Sequence, residues 1–298
     1  MKGIVIAGPT AVGKTELSIK LAKALNAEIL SADSAQVYKG MDVGTAKISE
    51  QEMDGVVHHM LDIVEPIKKY SVGDYQRKAD EILNGLEDKN ILLVGGTGLY
   101  IDSVVRGLSA LPESDPVIRE KLMEEDGEEL FRILKEVDPE SAESIHPNNK
   151  RRVERAVEVF YQTGEKFSTL SKKNIKGNNC KFLKVALERD RDYLYERINL
   201  RVEIMVRNGL LEEVRSLYEK YGDNLKKINI IGYTEIISYL NNEMTLDEAI
   251  DLIKKNSRNY AKRQFTWFKN DHDYIWYDLD KMSQDEIFSE ILQKFKSL

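Results

Sequence analysis

Short apolar runs alternate with amphipathic stretches through the N-terminal third of the chain. Gly3-Ile-Val-Ile-Ala7 is continuously apolar, the pattern of a strand buried on both faces. A glycine-rich turn follows, then a helical pattern over Lys14–Leu25 and a strand-like run over Glu28–Ala32. A further strand is expected over His58–Val64, a helix over Val72–Leu86 and a fourth buried strand over Ile91–Val94. Strands alternating with helices predict an α/β class, with a parallel sheet flanked by helices on both faces. Pro112-Glu-Ser-Asp-Pro116 breaks this pattern, and from there to about Lys184 the chain reads as helical and polar. Asp138-Pro139, His146-Pro147 and Thr163-Gly164 punctuate that stretch. Lys184–Leu187 is strand-like again, Arg191–Tyr221 reads as one long amphipathic helix, and Tyr274–Tyr277 as a last strand before a terminal helix. The expected organisation is a core domain over 1–113 and 186–298, interrupted by a small all-helical insertion over 114–185. Such insertions serve as lids or substrate grips.

Composition narrows the class. The chain has 298 residues and a single cysteine, Cys180, so no internal disulfide can form and a reducing cytoplasm is expected. The longest apolar runs are far too short to span a bilayer, and the N-terminal one ends in a glycine-rich loop rather than a cleavage site. With 14 Tyr, 8 Phe and only 6 Pro, the composition is that of a folded chain, not a disordered one. The net charge of −7 argues mildly against nucleic acid. The sum hides its distribution, however: Lys254–Lys269 holds Lys254, Lys255, Arg258, Lys262, Arg263 and Lys269 and no acid.

The sharpest chemical signal is Gly8-Pro9-Thr10-Ala11-Val12-Gly13-Lys14-Thr15, which fits G-x-x-x-x-G-K-[ST] between a strand and a helix. Backbone N–H groups of such a loop converge on a di- or triphosphate. The helix dipole, Lys14 and a Mg²⁺ held by Thr15 add positive charge. The loop specifies phosphate and not a reaction. A hydrolytic enzyme of this kind places an Mg²⁺-organising Asp at the end of a hydrophobic strand. Here Ile91–Val94 runs into Gly95-Gly96-Thr97-Gly98 with no acid, and Asp62 is a poor substitute because Glu65 and Pro66 follow at once. That leaves room for a loop gripping a diphosphate leaving group.

Other candidates stay open on position alone. Asp33 lies at the carboxyl end of a strand, where ligands bind in open α/β sheets. There it acts as general base, holds Mg²⁺ through water, or merely caps the next turn with Ser34. Thr97 in the Gly95–Tyr100 turn either donates to a phosphate oxygen or sits in a tight turn. Lys150, Arg151, Arg152 and Arg155 put four cations in six residues, with Arg151 and Arg155 on one helix face. They and the Lys254–Lys269 stretch either contact phosphate, with aromatic stacking on unpaired RNA bases, or form solvated faces. Trp267 and Phe268 are expected in the core. Arg197 and Arg201, one turn apart, read on spacing as surface residues. His58 and His59 should point to opposite faces of their strand, and no Cys or His cluster completes a metal site.

Taken in order, Gly8–Thr15, Asp33-Ser-Ala-Gln-Val-Tyr38, Gly40-Met-Asp-Val-Gly-Thr-Ala-Lys47, His59-Met-Leu-Asp62, Gly95-Gly-Thr-Gly-Leu-Tyr100 and Ala261-Lys-Arg-Gln-Phe-Thr-Trp267 closely resemble the tRNA dimethylallyltransferase (tRNA isopentenyltransferase) family over essentially the whole chain. The resemblance implies a core similar to P-loop kinases carrying a helical insertion, in a bacterial form without the zinc finger of eukaryotic members. It implies transfer of a dimethylallyl group from dimethylallyl diphosphate to the exocyclic amine of the adenosine just 3′ of the anticodon, in tRNAs reading codons that begin with U. The adenine would be flipped into a channel between core and insertion. By residue matching, Asp33 is the base, Lys14, Thr97 and Arg201 steady the diphosphate with Arg197 a weaker choice, and Mg²⁺ assists. Asp33, Ser34, Ala35, Gln36, Thr97, Arg119, Arg151, Arg152 and Arg155 match positions that touch the tRNA anticodon stem-loop. A cytoplasmic monomer with no membrane association is expected. The alternatives are an adenylate isopentenyltransferase acting on free nucleotide, a small-molecule P-loop kinase, and a non-catalytic RNA-binding ATP switch. The first has no need of the two basic clusters, the second would turn over ATP, and the third would need the missing strand-end acid.

Overall fold

The apolar runs form a sheet whose carboxyl edge carries the motif loops. In the computed structural model, which describes residues 1–86, 89–109, 111–173 and 180–298, the strands are β1 (Lys2–Ala7), β2 (Ala27–Ala32), β3 (His58–His59), β4 (Asn90–Gly95), β5 (Lys181–Glu188) and β6 (Ile275–Asp278). They form one parallel sheet in the order β3-β2-β4-β1-β5-β6. The helices are α1 (Lys14–Leu25), α2 (Glu50–Met53), α3 (Val72–Gly85), α4 (Gly98–Val105), α5 (Pro116–Glu124), α6 (Gly127–Val137), α7 (Pro139–Ser144), α8 (Lys150–Thr163), α9 (Phe167–Leu170), α10 (Arg191–Arg207), α11 (Leu210–Tyr221), α12 (Tyr233–Leu240), α13 (Leu246–Lys269) and α14 (Gln284–Lys296).

Alternation along the strands builds two apolar layers. Ile4 and Ile6 of β1 pack with Leu17 and Leu21 of α1 and with Ile287 and Ile291 of α14. Val5 and Ala7, of opposite parity, join Tyr75 of α3, Ile101 of α4 and Ile253 of α13. The expected doubly covered α/β sheet is therefore what the chain forms. β1 lies between β4 and β5, so its carboxyl end is the point where strand order runs off in both directions and a crevice opens.

Two element expectations and one burial expectation change. The strand expected over His58–Val64 is only His58–His59, with an isolated bridge from Tyr38 to Val64; Met60 and Asp62 take positive φ, which bends the backbone away from β2. The helix expected over Arg191–Tyr221 is two, because Asn208 closes α10 and Gly209, at φ 98°, opens α11 in a left-handed conformation. Trp267 is 45 % exposed instead of buried, with its Nε1 donating to Asp102 Oδ2 at 3.0 Å; Phe268 is in the core as expected.

The chain divides into two compact units, residues 1–105 with 179–298, and residues 106–178. The expected limits of 114 and 185 shift for a physical reason. Lys181–Val185 pair with Lys2–Ile6 of β1 and so belong to the sheet. At the other end Pro112 O accepts from Arg155, Glu113 O from Gln162 Nε2 at 3.1 Å, and Ser114 bonds Glu158, all within the helical unit.

That unit, α5–α9, closes over Leu122, Leu130, Leu134, Ile145, Val153 and Val157. Two buried carboxylates tie its helices together. Asp138 accepts from Ser141 N (3.2 Å) and Oγ (2.6 Å) and from Ser168 N (2.8 Å) and Oγ (2.7 Å). Burial works to raise its pKa, but these donors outweigh it and the carboxyl sits below its ordinary value. Glu158 accepts from Ser114 Oγ (2.7 Å), Asp115 N (2.8 Å), Arg119 Nε (3.3 Å) and Arg155 (2.7 Å).

Candidate active site

The phosphate loop follows from its glycines. β1 delivers the chain to Gly8, at φ 147°, where a Cβ would come 2.8 Å from Leu187 O. Gly13, at φ 115°, caps α1 with no side-chain bond, so the N–H groups of the first turn are left for a ligand. Two arginines brace the loop from α10 and the segment before it: Arg197 Nε donates to Ala11 O at 2.9 Å and Arg189 Nε to Val12 O at 3.0 Å.

Above the loop opens a cleft of about 580 Å³. One wall carries Thr10, Ala11, Gly13, Lys14 and Thr15, and another carries Asp33, Ser34, Ala35 and Gln36. Arg197, Arg201 and His58 also face it. Its lining also includes the apolar side chains of Ile198, Val202, Met205, Ile230, Ile231 and Ile253.

Lys14 is folded back on its loop, with Nζ 3.0 Å from Gly8 O and 2.7 Å from Pro9 O. Burial, and then the charge of Arg201, pull its ammonium down to about 7, while Asp33 opposes them. Burial also lowers the guanidinium of Arg201, again against Asp33. Arg201 donates one N–H to Thr45 O at 3.1 Å, and its buried Nε has no partner among the described residues. Both arginines, read on spacing as surface residues, line the cleft instead, because α10 packs this face over the phosphate loop; Arg197 spends its Nε on the loop backbone, whereas the Nε of Arg201 stays unpartnered among the described residues.

Asp33 does cap its turn: Oδ1 accepts from Ala35 N at 2.9 Å and Gln36 N at 3.4 Å. The carboxylate also faces the cleft, so capping and chemistry coexist. Thr97 stands behind this wall, with its Oγ1 accepting from Ser34 N at 3.0 Å and donating to Ser34 Oγ at 3.3 Å. Asp62 is held by Lys47 at 2.5 Å, away from any strand-end role. His58 and His59 diverge as expected, and His59 Nε2 pairs with the buried Glu28 at 2.5 Å. Among the described residues there is no group of three or more His, Cys, Asp or Glu able to hold a metal.

Residues 36–271 match the family model described as IPP transferase. The chain is 58 % identical to the tRNA dimethylallyltransferase of Fusobacterium nucleatum over 294 residues, covering 99 % of this chain and 97 % of that protein. The chain belongs to the tRNA dimethylallyltransferase family. The enzyme of that name from Bacillus subtilis is 46 % identical over 98 % of this chain and 97 % of its own. Among solved structures, the full-length tRNA isopentenylpyrophosphate transferase of Bacillus halodurans is 41 % identical, with a TM-score of 0.74 over 99 % of this chain and 97 % of that one. A eukaryotic dimethylallyltransferase acting on tRNA reaches a TM-score of 0.84 at 28 % identity, over 100 % of this chain and 80 % of that one.

The tRNA dimethylallyltransferase family motifs Asp33–Tyr38 and Gly40–Lys47 meet in this cleft, where Thr45 O receives both Arg201 and Gln36 Nε2. The four arginines Arg119, Arg151, Arg152 and Arg155 belong to the helical unit. There Arg119 and Arg155 share the buried Glu158, whereas Arg151 and Arg152 are exposed. Two supporting residues escape a reading of the sequence. Glu213 accepts from Asp42 N, Val43 N and Gly44 N at 2.7–3.0 Å and from Tyr233 Oη at 2.5 Å, and so shapes the 42–45 loop. Helical spacing places Gln264 away from Arg258 and Lys262 without marking it as a site residue. Ala261, Gln264 and Phe268 form one buried stripe, and a polar residue in such a stripe is the available signal.

Proposed function

We infer that the protein transfers a dimethylallyl group from dimethylallyl diphosphate to the N6 amine of an adenosine in tRNA, releasing diphosphate. The observation that carries this reading is one cleft lined by a phosphate loop, a carboxylate and apolar side chains, with Gly95-Gly96 where a hydrolytic enzyme keeps its acid. The acceptor base is the adenosine 3′ of the anticodon in tRNAs reading codons that begin with U, held as an anticodon stem-loop. No helix among the described residues is long and apolar enough to cross a membrane.

The loop N–H groups, Lys14 and the free donor of Arg201 bind the diphosphate, and the apolar side chains of the cleft take the prenyl chain. The N6 lone pair attacks the allylic carbon. The carbon–oxygen bond breaks, and its electron pair leaves with the diphosphate. The N6 proton passes to Asp33 through the oxygen that does not cap the turn. Lys14 and Arg201 act where negative charge accumulates, so their contribution is larger in the transition state than in the ground state.

Mg²⁺ fits the donor set: Thr15, a hydroxyl residue, is exposed at the start of α1, and a cation that keeps waters and takes oxygens from a bound diphosphate needs no protein cage. When bound it neutralises part of the leaving group's charge. Arg151 and Arg152 supply phosphate contacts to tRNA from the helical unit. The test is acceptor competition: with unmodified tRNA and AMP at equal concentration, isotopically labelled prenyl should enter tRNA alone. Comparable labelling of AMP would transfer the reading to a free-nucleotide enzyme.

A further inference from the structure

Gln264 is a buried amide, 6 % exposed, on the face of α13 that meets the sheet edge. Its Oε1 accepts from Thr10 N in the phosphate loop at 2.9 Å, and its Nε2 donates to Gly96 O at the end of β4 at 3.0 Å. Both partners are backbone groups of site loops, and both ends of the amide are used. Gly96 makes room for it, since a Cβ at that position would lie 2.0 Å from Gln264 Nε2.

The Gly96 end continues towards the carboxylate. Thr97 N donates to Ala32 O at 3.0 Å, Thr97 Oγ1 accepts from Ser34 N at 3.0 Å, and Ser34 follows Asp33 in the chain. One helical turn before Gln264, Tyr260 brings its hydroxyl beside Thr97 and Ser34. An uninterrupted polar chain therefore runs from the loop that grips the leaving group to the turn that presents the base, and Gln264 is the link in it that bonds the phosphate loop.

We propose that Gln264 is a positioning residue that fixes the distance between the diphosphate site and Asp33. This rests on the transferase reading above and deepens it. Displacement of a nucleophile and its leaving group by ~1 Å costs on the order of 10² in rate. A core glutamine that only anchored α13 would bond core or helix groups, whereas this one bonds Thr10 and Gly96.

Two variants test it. Gln264→Met keeps the length and loses both bonds. It should raise the dissociation constant for inorganic pyrophosphate with Mg²⁺, and KM for dimethylallyl diphosphate, about tenfold, and lower kcat by about tenfold or more, with tRNA affinity unchanged within about twofold. Gln264→Glu places a carboxylate that still accepts from Thr10 but cannot donate to Gly96. Its protonated form restores the donor–acceptor pattern of the amide, so its rate relative to native enzyme should climb as pH is lowered. The proposal is overturned if pyrophosphate affinity and kcat of the Met variant match native while only the melting temperature falls, or if the Glu variant keeps the native pH profile. Pyrophosphate binding is read without turnover, and native enzyme is assayed alongside. A native enzyme that fails to prenylate tRNA would therefore strike the functional reading and leave this measurement intact.

Discussion

Replacing Asp33 by Asn separates the three roles open to this residue. The turn itself should survive. The bonds that shape it run from Ala35 N and Gln36 N to a single oxygen, Oδ1, which an asparagine also has. The change therefore removes the proton acceptor and one negative charge and little else. A positioned general base contributes ~10²–10⁴ in rate, which is about 2.8–5.6 kcal/mol of transition-state stabilisation at ~1.4 kcal/mol per decade. Losing the charge acts further on Lys14, whose ammonium Asp33 supports against burial and Arg201. Without that charge the Lys14 pKa falls further in the free protein, so pyrophosphate affinity should begin to weaken at lower pH in the variant than in native protein. Single-turnover prenylation of tRNA across a Mg²⁺ series separates the three roles. A loss of two to four decades that Mg²⁺ does not restore supports the base. Partial rescue by Mg²⁺ would assign Asp33 to the metal, and a rate near native would leave it only the turn it caps.

The remaining predictions concern the cations and the helical unit. Burial and Arg201 bring the Lys14 ammonium down to about 7 in the free protein, so its charge should be lost as pH rises through that value. A bound diphosphate raises that pKa, so the ratio of native to Lys14→Ala pyrophosphate affinity, read by calorimetry against pH, should be largest below about pH 7 and shrink by up to tenfold per unit above it, with tRNA affinity retained in the variant. Charge reversal at Arg151 and Arg152 should weaken tRNA binding and reduce the salt slope by about one for each phosphate no longer neutralised. An unaltered slope would make them solvated surface. Arg155 is better left in place, because it holds the buried Glu158 and Pro112. Asp138→Asn turns an acceptor-only carboxylate into an amide that meets four donors from Ser141 and Ser168, and should cost roughly 1–3 kcal/mol, read as lost hydrogen-exchange protection in α7 and α9. The sign with pH follows from its lowered folded pKa: the native contribution is full above the ordinary carboxylate range and disappears as pH falls through the folded value.

The parts of this fold that are legible in sequence are those fixed by local pattern. β1, the phosphate loop and α1 are readable because an apolar run, a glycine spacing and an amphipathic period coincide within one short segment. The break between α10 and α11 is written as Asn208-Gly209, but the apolar period continues across it and masks the signal. The site is less legible than the fold. Whether an arginine faces water, a loop carbonyl or a ligand depends on partners far along the chain. Arg197 reaches Ala11 and Arg155 reaches Pro112, while Arg201 keeps a buried donor unpaired. Glu213 gives no signal as a site residue, and Gln264 only that of a polar residue in a buried stripe, because the loop backbone groups they bond are distant in sequence. Trp267 misleads because aromatic character predicts burial, whereas its ring lies over Gly98 at the surface, where a Cβ would come 2.2 Å from it.

The transferase reading is tested most directly by mass spectrometry of unmodified tRNA after incubation with the protein, dimethylallyl diphosphate and Mg²⁺, followed by nuclease mapping. One added C5H8 unit is expected on the adenosine immediately 3′ of the anticodon, with one pyrophosphate released per unit added. Unmodified tRNA, or prenyl found on any other nucleoside, would contradict it.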